Sequence, residues 1–178
     1  IQINEFNLLV DPFISGNPMA SNVDLDDLKP DFILITHAHQ DHTLDVEKLA
    51  KDNNSLIISN FEIVSHFQNM GLNGHPMNHG GKWNFDFGEL KYVNAIHTST
   101  FPDGSNGGQP GGFIITSNNK SIYIAGDTAL TYDMKLIPIN YNLDLAILPI
   151  GDNFTMGYKD SIIAVSYKHL TLPTTLCV

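Results

Sequence analysis

Residues 37–42 read His-Ala-His-Gln-Asp-His and place three imidazoles and a carboxylate within six positions. Neutral imidazole and carboxylate are ligands that zinc and neighbouring first-row metals accept, and a catalytic site needs such ligands with one coordination position left open for water. Two further candidates lie downstream. His97 follows the strand-like run 92–96 and precedes Thr98-Ser99-Thr100, while Asp127 follows the run 122–126 and precedes Thr128. Loops at strand ends are where sites are usually built, and Gly126 lets the backbone approach a bound ion closely. Taken alone, His97 equally suits a hydrogen-bonded strand-end histidine, and Asp127 suits a helix N-cap.

The elements that must position these side chains are legible around them. The apolar run 32–36 reads as a buried strand, and after the histidines Leu44, Val46, Leu49 and Ala50 sit among Asp45, Glu47, Lys48 and Lys51 in an amphipathic helical pattern. A chain still extended at His37 and His39 points both side chains the same way, because strand side chains alternate with period two. Asp41 and His42 then fall at the helix start, where the dipole favours a carboxylate.

Elsewhere, a strand over 8–10 ends at Asp11-Pro12, where Asp11 is a turn residue or a group orienting a ligand histidine. A strand over 56–59 precedes a helix over 61–70 that stops at Gly71. Residues 83–87 alternate as a strand, Gly88-Glu89 reads as a hairpin turn, and 90–97 continues as a strand. Asn118-Asn119 separates two more strands, a helix candidate over 130–137 is stopped by Pro138, and 143–150 reads as a buried strand. His66 and His75 are expected at the surface. His79 is expected in a loop or at a substrate entrance, and the Gly-rich segment 103–112 reads as a plain connection or a lid.

The 178 residues suit one domain, expected over 1–165. Residues 166–178 break the pattern and read as a non-native tail. Nine lysines, no arginine and nineteen acidic residues give a net charge of -10. That balance disfavours nucleic acid, whose binding rests on a basic surface, and leaves phosphorylated ligands to lysine, metal or backbone amides. No apolar run approaches the roughly 20 residues needed to cross a bilayer, so no membrane association is expected. The one cysteine, Cys177, excludes an intrachain disulfide or a thiolate metal cluster, and a reducing cytoplasm is the simplest home.

The succession of 37–42, His97 and Gly126-Asp127-Thr128 resembles the metallo-β-lactamase superfamily, in which an HxHxDH motif, a later histidine and a Gly-Asp segment build a site for two metals. The stretches 10–18, 78–81 and 151–157 look like its branch of metal-dependent hydrolases similar to ascorbate-6-phosphate lactonase. The resemblance covers about residues 8 to 163. It implies an α/β (α+β) fold, a four-layer αβ/βα sandwich, here incomplete at the C-terminus. It also implies that His37, His39 and His97 hold one divalent ion, that Asp41 and His42 hold a second, and that Asp127 is shared. Zinc, manganese and iron all suit such ligands. Branch members supply one more histidine late in the chain; His169 lies in no matching context and is not assigned.

The implied activity is attack by metal-activated hydroxide on a lactone, ester or phosphoester of a small, in some cases phosphorylated, metabolite, with Asp41 orienting the nucleophile or shuttling a proton. A homo-oligomer is compatible with this reading. Two alternatives stand beside it: a truncated metal-binding fragment without catalysis, and a nuclease of the same superfamily, which the charge balance opposes.

Overall fold

The computed structural model describes residues 1–168, and the chain divides into two compact units: residues 1–79 with 98–110, and residues 80–97 with those from 111 onward. His169 and the remainder of the expected tail lie outside the described residues. Among the described residues no helix is long and apolar enough to cross a membrane.

The first unit holds a five-stranded sheet in chain order: β1 (Gln2–Ile3), β2 (Phe6–Val10), β3 (Phe32–Leu34), β4 (Leu56–Asn60) and β5 (Gly74–Met77). β1 pairs antiparallel with β2, and the remaining neighbours are parallel, with Leu9, Ile33 and Ile57 in register. Parallel strands need crossovers. Here α2 (Val46–Asn53), preceded by a short α1 (Gln40–Thr43), connects β3 to β4, and α3 (Phe61–Asn69) connects β4 to β5. Val46, Leu49, Ala50, Ile63 and Phe67 from these helices join Ile33, Ile35 and Ile57 in one core. Asn60 caps α3 by accepting from the Ile63 amide at 2.9 Å, and Gly71, at φ +81°, ends it in the left-handed region.

The single helix expected after the histidines is thus two, broken at Leu44 and Asp45. The break has a cause. Asp45, expected on the polar face, is only 4% exposed, and its carboxylate accepts from the amides of Ile14 and Ser15 at 2.6 and 2.9 Å and from the Ser15 hydroxyl. It ties down the loop after β2, whereas Leu44, expected in the core, is exposed. β5 was not legible because it contains Gly74, His75 and Pro76; it lies at the sheet edge, where proline is tolerated. His75 and His66, both expected at the surface, are half-buried. Burial holds the His75 imidazole below the usual histidine range, and the His66 ring stacks on Phe101 with centroids 3.9 Å apart.

The second unit holds β6 (Lys82–Phe85), β7 (Gly88–Asn94), β8 (Gly111–Ser117), β9 (Lys120–Ile124) and β10 (Leu145–Ile147), in the order β10-β9-β8-β7-β6. β6 to β9 form an antiparallel meander, and β10 pairs parallel with β9. Phe85 pairs with Gly88, so the first hairpin turns at Asp86-Phe87 rather than at Gly88-Glu89. Phe87 is buried, and Gly88 sits at φ +137° with the Thr116 carbonyl oxygen 2.4 Å from where a Cβ would stand. The hairpin at Asn118-Asn119 has both residues at positive φ, 51° and 60°, as a two-residue primed turn requires.

Pro138 does not stop a helix over 130–137. A 3-10 turn at Tyr132–Lys135 is followed by α4 (Ile137–Asn140), with Pro138 in its first turn, where the missing amide hydrogen would be unsatisfied anyway. The strand expected over 143–150 contracts to β10. A final helix, α5 (Tyr158–Lys168), was not anticipated; Ala164 is buried while Ile162 and Ile163 are exposed, so it shows no clean apolar stripe. The unit's core gathers Ile114, Tyr123, Ala125, Ile137 and Leu143, with Met134, Met156 and Ala164 alongside.

Candidate metal centre

In the first unit, β3 ends at Leu34, two residues short of the strand expected over 32–36, and the chain continues through the buried Ile35 and Thr36 into His37, which is itself fully buried. His39 remains extended at φ -62°, ψ 150°, before α1 begins at Gln40. His37 Nε2 and His39 Nδ1 therefore lie 3.1 Å apart, and the rings of His37 and His42 are 4.0 Å apart between centroids. Asp41, on the exposed side of α1, places Oδ2 3.7 Å from His42 Nε2.

Hydrogen bonding decides which nitrogen each ring presents. Asp11 stands in the left-handed region at φ 48°, and its carboxylate accepts from the Thr36 amide at 2.8 Å, the Thr36 hydroxyl at 2.7 Å and His42 Nδ1 at 2.9 Å. A hydroxyl has one proton to give. Thr36 gives it to Asp11, so its contact with His37 Nδ1 at 3.0 Å must have the imidazole as donor. His37 and His42 both carry the proton on Nδ1 and present the lone pair of Nε2. A carboxylate behind a ligand histidine raises its basicity and fixes its orientation, the usual support of a metal-binding imidazole.

The donor set fits a divalent ion. Two imidazole nitrogens at about 2.0–2.1 Å from one tetrahedral ion stand roughly 3.3 Å apart, close to the 3.1 Å between His37 and His39. Asp11, expected as a turn residue or as a group orienting a ligand histidine, stands in the turn and hydrogen-bonds His42. Thr36 carried no signal beyond its place before His37.

The segment 98–110 belongs to this unit and is pinned. Ser99 Oγ accepts from the Ala38 amide at 3.1 Å and donates to the Gly107 carbonyl at 3.0 Å. Asn60 Nδ2 donates to the carbonyls of Gly107 and Gln109 at 2.8 and 3.1 Å, and His79 Nε2 lies 2.8 Å from the Pro110 carbonyl oxygen. A Cβ on Gly107 would stand 2.2 Å from the Cβ of Ala38, the residue between the candidate ligands His37 and His39. Gly107→Ala is therefore expected to cost roughly 1–3 kcal/mol and to weaken metal binding as well. Denaturant unfolding and a zinc titration of the variant would show both, and wild-type values in both would contradict the packing argument.

In the second unit, His97 follows β7 and Asp127 follows β9. Their nearest polar atoms, His97 Nε2 and Asp127 Oδ2, are 3.7 Å apart. The buried Thr128 holds the two segments together. Its hydroxyl accepts from the Ile96 amide at 2.9 Å and donates to the Ala129 carbonyl at 2.8 Å, while the Ala129 amide donates to the Ile96 carbonyl at 3.0 Å. Gly126, at φ +63°, makes the turn that brings Asp127 round. Asp127 thus owes its placement to the residue after it, which the sequence offered only as part of a Gly-Asp-Thr segment.

Comparisons with known proteins agree along nearly the whole chain. Residues 6–175 match the family model described as Beta-lactamase superfamily domain. A UPF0173 metal-dependent hydrolase of Christiangramia forsetii is 62% identical over 168 residues, covering 94% of this chain and 74% of that protein. A second, from Bacillus thuringiensis subsp. konkukian, is 44% identical over 172 residues, covering 94% and 75% respectively. Among solved structures, Igni18, a metallo hydrolase from the hyperthermophilic archaeon Ignicoccus hospitalis, is similar with a TM-score of 0.83 at 30% identity, covering 94% of this chain and 72% of that one.

Proposed function

The chain belongs to the Beta-lactamase superfamily domain family and is similar to metal-dependent hydrolases, and from that premise we propose that it hydrolyses a lactone, ester or phosphoester of a small metabolite. The observation that carries the reading is the Asp11–Thr36 network, which commits His37 and His42 to presenting Nε2. In this reading His37, His39 and His97 serve one ion and His42 serves a second. Asp127 is shared between the two, and Asp41 completes the second. Zinc heads the candidates, with manganese and iron also suited to these ligands.

A divalent ion held there supplies Lewis acidity toward a carbonyl or phosphoryl oxygen and lowers the pKa of water to about 7. The chain's own residues do the rest. His37 is buried and keeps its ring fixed through Thr36, so the ligand set is organised before substrate arrives. The largely exposed Asp41 carboxylate is placed to accept a proton from the attacking water and to pass it to the leaving oxygen. With no arginine in the chain, a phosphorylated substrate depends on metal, lysine or backbone amides. The net charge of -10 suits small substrates better than nucleic acid.

Chelation tests the proposal. Purified chain treated with a strong chelator is expected to lose turnover of a nitrophenyl ester, a γ-lactone and bis(nitrophenyl) phosphate, and to regain one of these activities on adding zinc or manganese. Hydrolysis that survives complete metal removal would refute it.

A further inference from the structure

Resting on the metal-binding reading above, we propose that Thr98 is a positioning residue for His39, its hydroxyl engaging Nε2 so that Nδ1 is the nitrogen offered to the metal. His37 and His39 are two positions apart, His39 is extended at φ -62°, ψ 150°, and their ring centroids lie 4.6 Å apart. Two rings so spaced meet at one point when one reaches with the far nitrogen and the other with the near one. The structure shows that pairing, His37 Nε2 against His39 Nδ1 at 3.1 Å.

The Thr36–Asp11 chain sets the choice for His37. For His39 the corresponding contact is Thr98 Oγ1 to Nε2 at 3.2 Å, across 59 residues of sequence. A hydroxyl accepts from Nε2–H, which leaves the lone pair on Nδ1. The division of labour with the next residue is sharp. Ser99 is buried and spends its hydroxyl on the Ala38 amide and the Gly107 carbonyl, whereas Thr98 is exposed and its hydroxyl faces the ligand ring. Removing the Thr98 hydroxyl should therefore leave folding intact and alter only how His39 is held.

The test uses the whole chain with zinc alone as probe. Thr98→Val and Thr98→Ala are expected to weaken zinc binding about tenfold, the low end of what a lost outer partner of a ligand histidine costs, with unfolding midpoints as in wild type. Thr98→Ser is expected to restore wild-type affinity. Long-range proton–nitrogen correlation spectra of the zinc-loaded wild type are expected to show His39 metallated at Nδ1 and protonated at Nε2. Zinc affinity in Thr98→Val and Thr98→Ala equal to wild type, or His39 metallated at Nε2, would overturn the assignment while leaving the hydrolase reading in place. Wild-type chain that binds no zinc would overturn both.

Discussion

Replacing His37 by alanine is expected to abolish metal binding and hydrolysis together, with kcat/KM falling at least about a thousandfold, or ~4 kcal/mol of transition-state stabilisation. No other candidate ligand has its central position. Its ring lies 4.6 Å from that of His39 and 4.0 Å from that of His42 between centroids, and it is fully buried. The substitution removes an Nε2 donor and also deprives the Thr36 hydroxyl of its imidazole partner. A folding cost of roughly 1–3 kcal/mol accompanies it, because a buried polar group loses its hydrogen bond. Metal analysis beside steady-state kinetics separates the effects: a folded variant with turnover intact would remove His37 from the machinery.

The second large effect is expected from Asp11→Asn. Asparagine tolerates the left-handed backbone that Asp11 adopts at φ 48°, so the fold should survive. What changes is charge and donor count. The carboxylate accepts from the Thr36 amide, the Thr36 hydroxyl and His42 Nδ1; an amide has one oxygen for these donors and points its own N–H groups at the rest. His42 then loses its fixed tautomer, and Thr36 loses the acceptor that forces His37 to donate. Zinc affinity is expected to fall by about 10- to 100-fold, measurable by competition with a chromogenic chelator. Unchanged affinity would mean that Asp11 is only a turn residue.

The candidate ligands are legible because a short segment carries most of them. The residues at 37–42 follow a recognisable buried strand, and the amphipathic pattern after them marks the change from extended chain to helix. What positions these candidate side chains is not legible, because it is distant in sequence. Asp11 reaches Thr36 across 25 residues, Thr98 reaches His39 across 59, and Thr128 reaches Ile96 across 32. A threonine beside a histidine carries no linear signal of which ring nitrogen it will meet.

The misread elements share a cause, which is tertiary demand overriding local pattern. Asp45 breaks a helix to satisfy the amides of Ile14 and Ser15. Phe87 is drawn into the core, and the first hairpin of the second unit turns early as a result. Pro138 opens a helical turn instead of closing one. From its glycines the segment 103–112 reads as a plain connection or a lid, yet Gly107 is there because Ala38 leaves no room for a side chain.

The central claim is that imidazole and carboxylate groups of this chain hold a catalytic divalent ion. Zinc K-edge X-ray absorption of the zinc-reconstituted chain tests it most directly. The prediction is a shell of nitrogen and oxygen neighbours at about 2.0–2.1 Å, with the outer scattering of at least two imidazoles, lost in the His37→Ala chain. A sulfur shell at about 2.3 Å, or an ion surrounded by oxygen without imidazole scattering, would contradict it.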